Sequence, residues 1–130
     1  MHPQISPKLR IFILDDDPDI LTALTSLFES ENFHVQSATD AYGLYQRLLS
    51  FKPDIILIDV ILKEDNGGRI SQMLKADTNL RHIPIILMSR VYNFHQQTSS
   101  SPLFADDYID KPFTSRHILE KVMILLNNEA

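Results

Sequence analysis

Four short apolar stretches of this chain run into residues able to do chemistry. Ile11-Phe12-Ile13-Leu14 leads into Asp15-Asp16-Asp17, Ile55-Ile56-Leu57-Ile58 into Asp59, Ile85-Ile86-Leu87-Met88 into Ser89, and Tyr108-Ile109 into Asp110-Lys111. Runs this short, apolar throughout and rich in β-branched residues, suit strands covered on both faces. In an open parallel sheet, ligands bind beyond the carboxyl ends of the strands. Asp15, Asp16, Asp59, Ser89 and Lys111 would therefore meet at one sheet edge. Carboxylates gathered so closely resist ionisation unless positive charge intervenes. A hard divalent cation supplies that charge through oxygen ligands, and Mg²⁺ commonly takes one or two carboxylates together with phosphate oxygen and water. The set points to a Mg²⁺-dependent phosphoryl site, with Lys111 as a further positive point charge.

The elements that must position these residues follow from the pattern between them. Asp17 as N-cap and Pro18 in the first turn open a helix in which Ile20, Leu21, Leu24, Leu27 and Phe28 recur at helical spacing. A second strand is expected over Phe33–Ser37, then a helix capped by Asp40 and carrying Tyr42, Tyr45, Leu48 and Leu49. Pro53-Asp54 introduces the third strand. Gly67-Gly68 turns the chain into a short amphipathic helix with Ile70, Met73 and Leu74, and Pro84 introduces the fourth strand. Residues 92–104 contain Ser99-Ser100-Ser101-Pro102, which disfavour a helix interior, so a helix there is expected to be short or to begin after a loop. A last helix, capped by Thr114 or Ser115, aligns Ile118, Val122, Leu125 and Leu126. Strands alternating with helices imply right-handed βαβ units, hence an α/β fold: a doubly wound five-stranded parallel sheet with helices on both faces.

Composition bounds the rest. A chain of 130 residues, 44% hydrophobic and 22% charged, fits one folded domain, with residues 1–9 as an arm and 127–130 as the start of a linker. The absence of cysteine excludes disulfide scaffolds, zinc ribbons and thiol catalysis. Twelve basic against 17 acidic side chains, net charge −5, with no run of Lys and Arg, argue against direct nucleic-acid binding. No apolar run approaches the roughly 18 residues of a membrane span, and Met1-His2-Pro3-Gln4 has no apolar signal core, so a cytoplasmic location is expected. Tyr42, Tyr45 and Phe28 read as core or half-buried packing. The five histidines show no metal-like spacing and read as surface. Taken singly, Asp15 and Asp16 fit a helix-capping loop, Ser89 a backbone-bonded hydroxyl and Lys111 a turn. Only their convergence favours chemistry.

With Ile13-Leu14-Asp15-Asp16-Asp17, Asp59, Ser89 and Lys111-Pro112-Phe113 in this order, the sequence resembles the receiver domain of two-component response regulators, the CheY-like superfamily, along nearly its whole length. The resemblance implies a flavodoxin-like sheet of order 2-1-3-4-5 and a Lys111-Pro112 peptide bond in the cis form. It implies Asp59 as phosphoacceptor, loaded from a phosphohistidine on a sensor histidine kinase or histidine phosphotransfer protein. Asp16, Asp59 and the backbone carbonyl of Ile61 would hold Mg²⁺, with Asp15 acting mainly through a coordinated water. Lys111 and Ser89 would contact the phosphoryl oxygens, and Tyr108 would be the aromatic switch that follows Ser89. A downstream effector protein or domain would read the state. Such a module assists only its own phosphorylation and dephosphorylation, so no enzyme acting on a separate substrate is expected.

The chain also departs from the family pattern. Lys63 stands where proline is usual, which would leave the loop before the third helix more mobile. Arg90 follows Ser89 where a small residue is preferred and would restrict access or contact phosphate. Phe104 replaces a frequent glycine. The polar, serine-rich segment before the fifth strand weakens a common dimerisation face, so a monomer or weak dimer is expected. Ile61 and Val91, flanking the acceptor pocket, are apolar and cannot orient an attacking water, which predicts slow loss of the phosphoryl group. Two other readings compete. Asp15-x-Asp17 resembles the haloacid-dehalogenase-like phosphatase motif, which would make Asp15 the nucleophile of a small Mg²⁺-dependent phosphatase. A receiver fold could also serve as a phosphorylation-independent docking domain.

Overall fold

A computed structural model describes residues 8–90 and 105–127. The expected short helix in 92–104, and with it Val91 and Phe104, lies outside the described residues, as do His2 and His95. The described elements are β1 (Arg10–Leu14), α1 (Pro18–Ser30), β2 (His34–Ala38), α2 (Leu44–Phe51), β3 (Ile55–Asp59), α3 (Gly67–Ala76), β4 (Ile85–Ser89), β5 (Asp107–Asp110) and α4 (Ser115–Asn127). All strands run parallel in the order β2-β1-β3-β4-β5.

Strand alternation divides the core into two. Phe12, Leu14, Ile56, Ile58, Ile85 and Leu87 face α2 and α3, meeting Leu44, Leu48, Ile70 and Leu74. Their neighbours Ile11, Ile13, Ile55, Leu57, Ile86 and Met88 face α1 and α4, meeting Leu21, Leu24, Phe28, Ile118 and Val122. Strands buried on both faces explain why their sequences are continuously apolar. The same burial leaves polar side chains a place only at the strand ends.

Local signals set the helix starts. The Asp17 side chain accepts the Asp19 N–H at 2.9 Å with Pro18 in the first turn, and Thr114 Oγ1 accepts the His117 N–H at 3.0 Å. Elsewhere the pattern misleads by a few residues. Phe33 precedes β2 rather than opening it. Asn32 takes a left-handed φ of 69°, and the Phe33 N–H donates to the Phe28 carbonyl to end α1. Asp40 does not cap α2; its carboxylate accepts the Tyr42 N–H in a local turn, and Gly43 at φ 65° leads into Leu44. Tyr42 is thereby left outside the helix and 91% exposed, and Tyr45 and Met73 are also exposed rather than core. Phe28 is fully buried as expected.

The edge of the sheet opposite the acidic strand ends is stitched by two side chains, Lys75 and Asp106. Lys75 Nζ lies 2.7 Å from Asp106 Oδ2 and donates to the Ile83 carbonyl at 2.8 Å. The same Asp106 oxygen accepts the Ile85 N–H at 2.8 Å, joining the starts of β4 and β5.

Candidate functional site

Parallel register brings the carboxyl ends of four strands level. Leu14 pairs with Ile58, Asp59 with Met88, and Ser89 with Asp110. Asp15 follows β1 directly and is fully buried, Asp59 closes β3 at 6% exposure, and Ser89 closes β4 at 4%. Carboxylate oxygens of Asp15, Asp16 and Asp59 all lie within 4.8 Å of one another. Lys111, carried just past β5, joins this group. Its Nζ sits 2.6 Å from Asp15 Oδ2 and 3.5 Å from Asp59 Oδ1, with only 5% of the side chain exposed. Asp15 is further fixed because its Oδ1 accepts the Asp17 N–H at 2.9 Å. The Lys111 backbone is held by a bond from its N–H to the Ser89 carbonyl at 2.6 Å, and the Lys111-Pro112 peptide is cis.

The electrostatics are unbalanced. Burial, then the Asp15 carboxylate and more weakly Asp16, push the Asp59 carboxyl up to about 6 from its ordinary 3.8, against the opposing pull of Lys111. One ammonium among three carboxylates leaves the pocket an oxygen-lined acceptor of positive charge. Oxygen-only donors with an excess of negative charge suit a hard divalent cation. The loop after Asp59 adds a backbone donor. Ile61 and Asn66 form an isolated antiparallel bridge whose bonds run from Leu62 N–H to Asp65 carbonyl (3.2 Å) and Gly67 N–H to Val60 carbonyl (2.7 Å). Among the described backbone bonds none ends on the Ile61 carbonyl. These bonds and the burial of Leu62 close the loop that carries Lys63.

Tyr108 sits on β5 in register with Leu87, partly buried against the α2/α3-side core. Burial, then Asp106 and Asp107, push its phenol upward. Arg90 lines a cavity together with Ile20, Lys111, Pro112 and Phe113. Its side chain is 69% exposed and reaches sideways to Asp17 Oδ2 at 3.3 Å. Of the histidines, His34, His82 and His117 are exposed as expected.

Gly67 is a site residue that its sequence context concealed. Asn66 Oδ1 caps α3 by accepting the Gly68 N–H at 2.8 Å and the Arg69 N–H at 3.2 Å, so Gly67 lies within the helix rather than ahead of it. A Cβ at Gly67 would stand 2.0 Å from the Asp59 carbonyl oxygen and 2.8 Å from Ile58. Only a residue without a side chain lets α3 begin against the acceptor strand.

Comparison with known proteins agrees with this geometry. RpaA of Synechocystis sp., a DNA-binding dual master transcriptional regulator, is 30% identical over 117 residues, 90% of this chain and 48% of RpaA. The DNA-binding response regulator MtrA of Mycolicibacterium smegmatis is 27% identical over 115 residues, 88% of this chain and 49% of MtrA. The chain thus spans about half the length of these two curated relatives. The signal receiver domain of a signal transduction histidine kinase from Syntrophus aciditrophicus matches with TM-score 0.82 and 27% identity, over 92% of this chain and 90% of that one. A CheY-like response regulator receiver domain protein from Methanospirillum hungatei matches with TM-score 0.82 and 26% identity, over 95% and 97%. Neither the phosphatase nor the phosphorylation-independent docking reading draws support from these likenesses. The response regulator receiver domain profile matches residues 11–123, from β1 into α4 and so across every strand that builds the acidic edge: the chain belongs to the receiver domains of response regulators.

Proposed function

We propose that Asp59 accepts a phosphoryl group from a phosphohistidine of a sensor histidine kinase or histidine phosphotransfer protein. The observation that carries this reading is Lys111 Nζ held between Asp15 and Asp59 at 2.6 and 3.5 Å in a buried, net-negative pocket at the strand ends. An Asp59 carboxylate oxygen attacks phosphorus, a P–O bond forms, and the P–N bond breaks with imidazole leaving to take up a proton. The product is a mixed anhydride, and catalysis is chiefly positioning and charge neutralisation. Lys111 is placed to follow charge from the carboxylate onto the phosphoryl oxygens. Asp15, Asp16, Asp59 and the Ile61 carbonyl would hold Mg²⁺, which when bound supplies the positive charge that the three carboxylates and a phosphoryl group lack. Ser89, at the end of β4, would donate to a phosphoryl oxygen, and Tyr108 would respond by changing its packing. A downstream effector protein or domain would read that change. The proposed setting is the cytoplasm, the proposed assembly a monomer or weak dimer, and the module acts on no separate substrate.

Labelling with acetyl phosphate tests the reading. Asp59→Asn should abolish acid-labile, hydroxylamine-sensitive phosphorylation, whereas Asp15→Asn should weaken it without moving the site. Undiminished labelling of Asp59→Asn, with loss in Asp15→Asn, would transfer the nucleophile to β1 and end the proposal. Beryllofluoride, a mimic of the acyl phosphate, should bind only with Mg²⁺ and shift the signals of Ser89 and Tyr108.

A further inference from the structure

A second charged feature lies far from the acidic edge, between edge strand β2 and α2. An open cavity of about 440 Å³ is lined by Arg10, His34, Gln36, Gln46, Arg47 and Ser50, together with Phe51. Each of those six side chains can donate a hydrogen bond, and none is a carboxylate. Both arginines are packed on aromatic rings and hydrogen-bonded. The Arg10 guanidinium stacks 5.8 Å from the Phe51 ring centroid and donates to the Phe51 carbonyl at 2.7 Å. That of Arg47 lies 4.9 Å from the Phe12 centroid and donates to the Ser37 carbonyl at 3.1 Å and Gln36 Oε1 at 3.4 Å. Phe12 and Phe51 themselves meet edge to face at 6.4 Å, so both guanidinium groups rest on one aromatic pair.

No described carboxylate forms an ion pair with either guanidinium. The acidic neighbour Asp54 directs Oδ2 to the Arg10 backbone N–H at 2.8 Å and forms no ion pair with the guanidinium. The sequence ahead of β1 offers no carboxylate either, since the first acidic residue of the chain is Asp15. A chain of net charge −5 has ample acid with which to neutralise two arginines, yet this groove has none. Planar, pre-stacked guanidinium groups with donors left over match the oxygen geometry of phosphate.

The geometry points to a binding site for a compact phosphate-bearing anion in the groove between β2 and α2, recognised by Arg10 and Arg47. A soluble anion is favoured over a phospholipid headgroup, because the net negative chain is repelled by an anionic bilayer. The site is separate from Asp59, so it stands or falls independently of the phosphoacceptor reading.

Inorganic pyrophosphate titrated into the full chain without Mg²⁺, followed by amide and arginine side-chain NMR, tests it. Saturable shifts should appear at His34, Gln36, Arg47 and Ser50. Arg10→Gln should weaken binding by about tenfold or more, the loss of a charge-assisted bond. Arg47→Gln uncovers Phe12 and risks the fold, so Gln46→Glu is the decisive variant. It places a carboxylate in the groove from an exposed helix position and should abolish binding while acetyl phosphate labelling of Asp59 persists. Shifts that never saturate, or that centre on Asp15 and Lys111, overturn the proposal, as does binding unchanged in Gln46→Glu. Co-sedimentation with phosphatidylglycerol vesicles that Gln46→Glu abolishes would overturn the soluble-anion assignment.

Discussion

The charge imbalance around Asp59 should be measurable as stability. Asp59 is 6% exposed, and its carboxyl is held near 6 rather than the ordinary 3.8. Its proton is therefore bound more tightly in the folded chain than in the unfolded one. Below pH 3.8 both states are protonated and the ionisation costs nothing. As pH rises through the interval up to about 6, the unfolded chain loses its proton first and folding stability falls. Above that value the full penalty is present, about 3 kcal/mol at about 1.4 kcal/mol per pH unit. Asp59→Asn keeps the shape and removes the charge, so without divalent cations at pH 7.5 it should raise unfolding stability by about 3 kcal/mol. In a domain of this size that corresponds to a Tm higher by roughly 10 °C. Urea titrations of both proteins in EDTA at several pH values provide the assay. The difference between them should shrink below about 1 kcal/mol at pH 4, where little of the ionisation difference remains. A gain independent of pH, or no gain at pH 7.5, would show that the pocket is not electrostatically loaded and would refute the reasoning.

Three further outcomes follow from the same geometry. Gly67→Ala forces a Cβ to 2.0 Å from the Asp59 carbonyl, so α3 must shift; a loss of about 3 kcal/mol or more in chemical denaturation is expected, with phosphorylation falling alongside. Millimolar Mg²⁺ should raise the Tm of the unmodified chain in proportion to the logarithm of its concentration and leave Asp16→Asn nearly unmoved in differential scanning fluorimetry. Ile61 is 59% exposed beside the acceptor strand, so Ile61→Asn can present an amide to a water there; decay of the labelled protein should speed about tenfold. An unchanged decay rate would remove water positioning as the cause of a long-lived label.

The sheet was readable because β1, β3 and β4 are short apolar blocks that stop at a polar residue, and burial on both faces permits little else. The pocket was readable for the same reason: acids cannot lie inside such strands, so they collect at their ends. What escaped were features decided by contacts distant in sequence or by competing local bonds. Asp40 looks like a helix cap, but its turn with the Tyr42 N–H completes before α2 begins, which puts Tyr42 in solvent. Gly67-Gly68 looks like a turn because nothing near it in sequence reveals that the Asp59 carbonyl occupies the space of a Cβ. Arg90 pairs with Asp17, 73 residues away, a contact that the sequence around Ser89 does not announce.

The two ends of β4 and β5 are built to opposite rules. At their starts, Lys75, Asp106 and the Ile85 N–H form a short chain of bonds that anchors one strand to the other. At their finishes, Ser89 and Lys111 share a backbone bond beside the acidic cluster, whose charge changes under the proposed phosphoryl transfer. Strain raised there cannot escape by sliding the pair along its length, because the far end is tethered. The register of β4 on β5, from Ile86 against Asp107 to Ser89 against Asp110, is thereby held from the end remote from the acidic cluster.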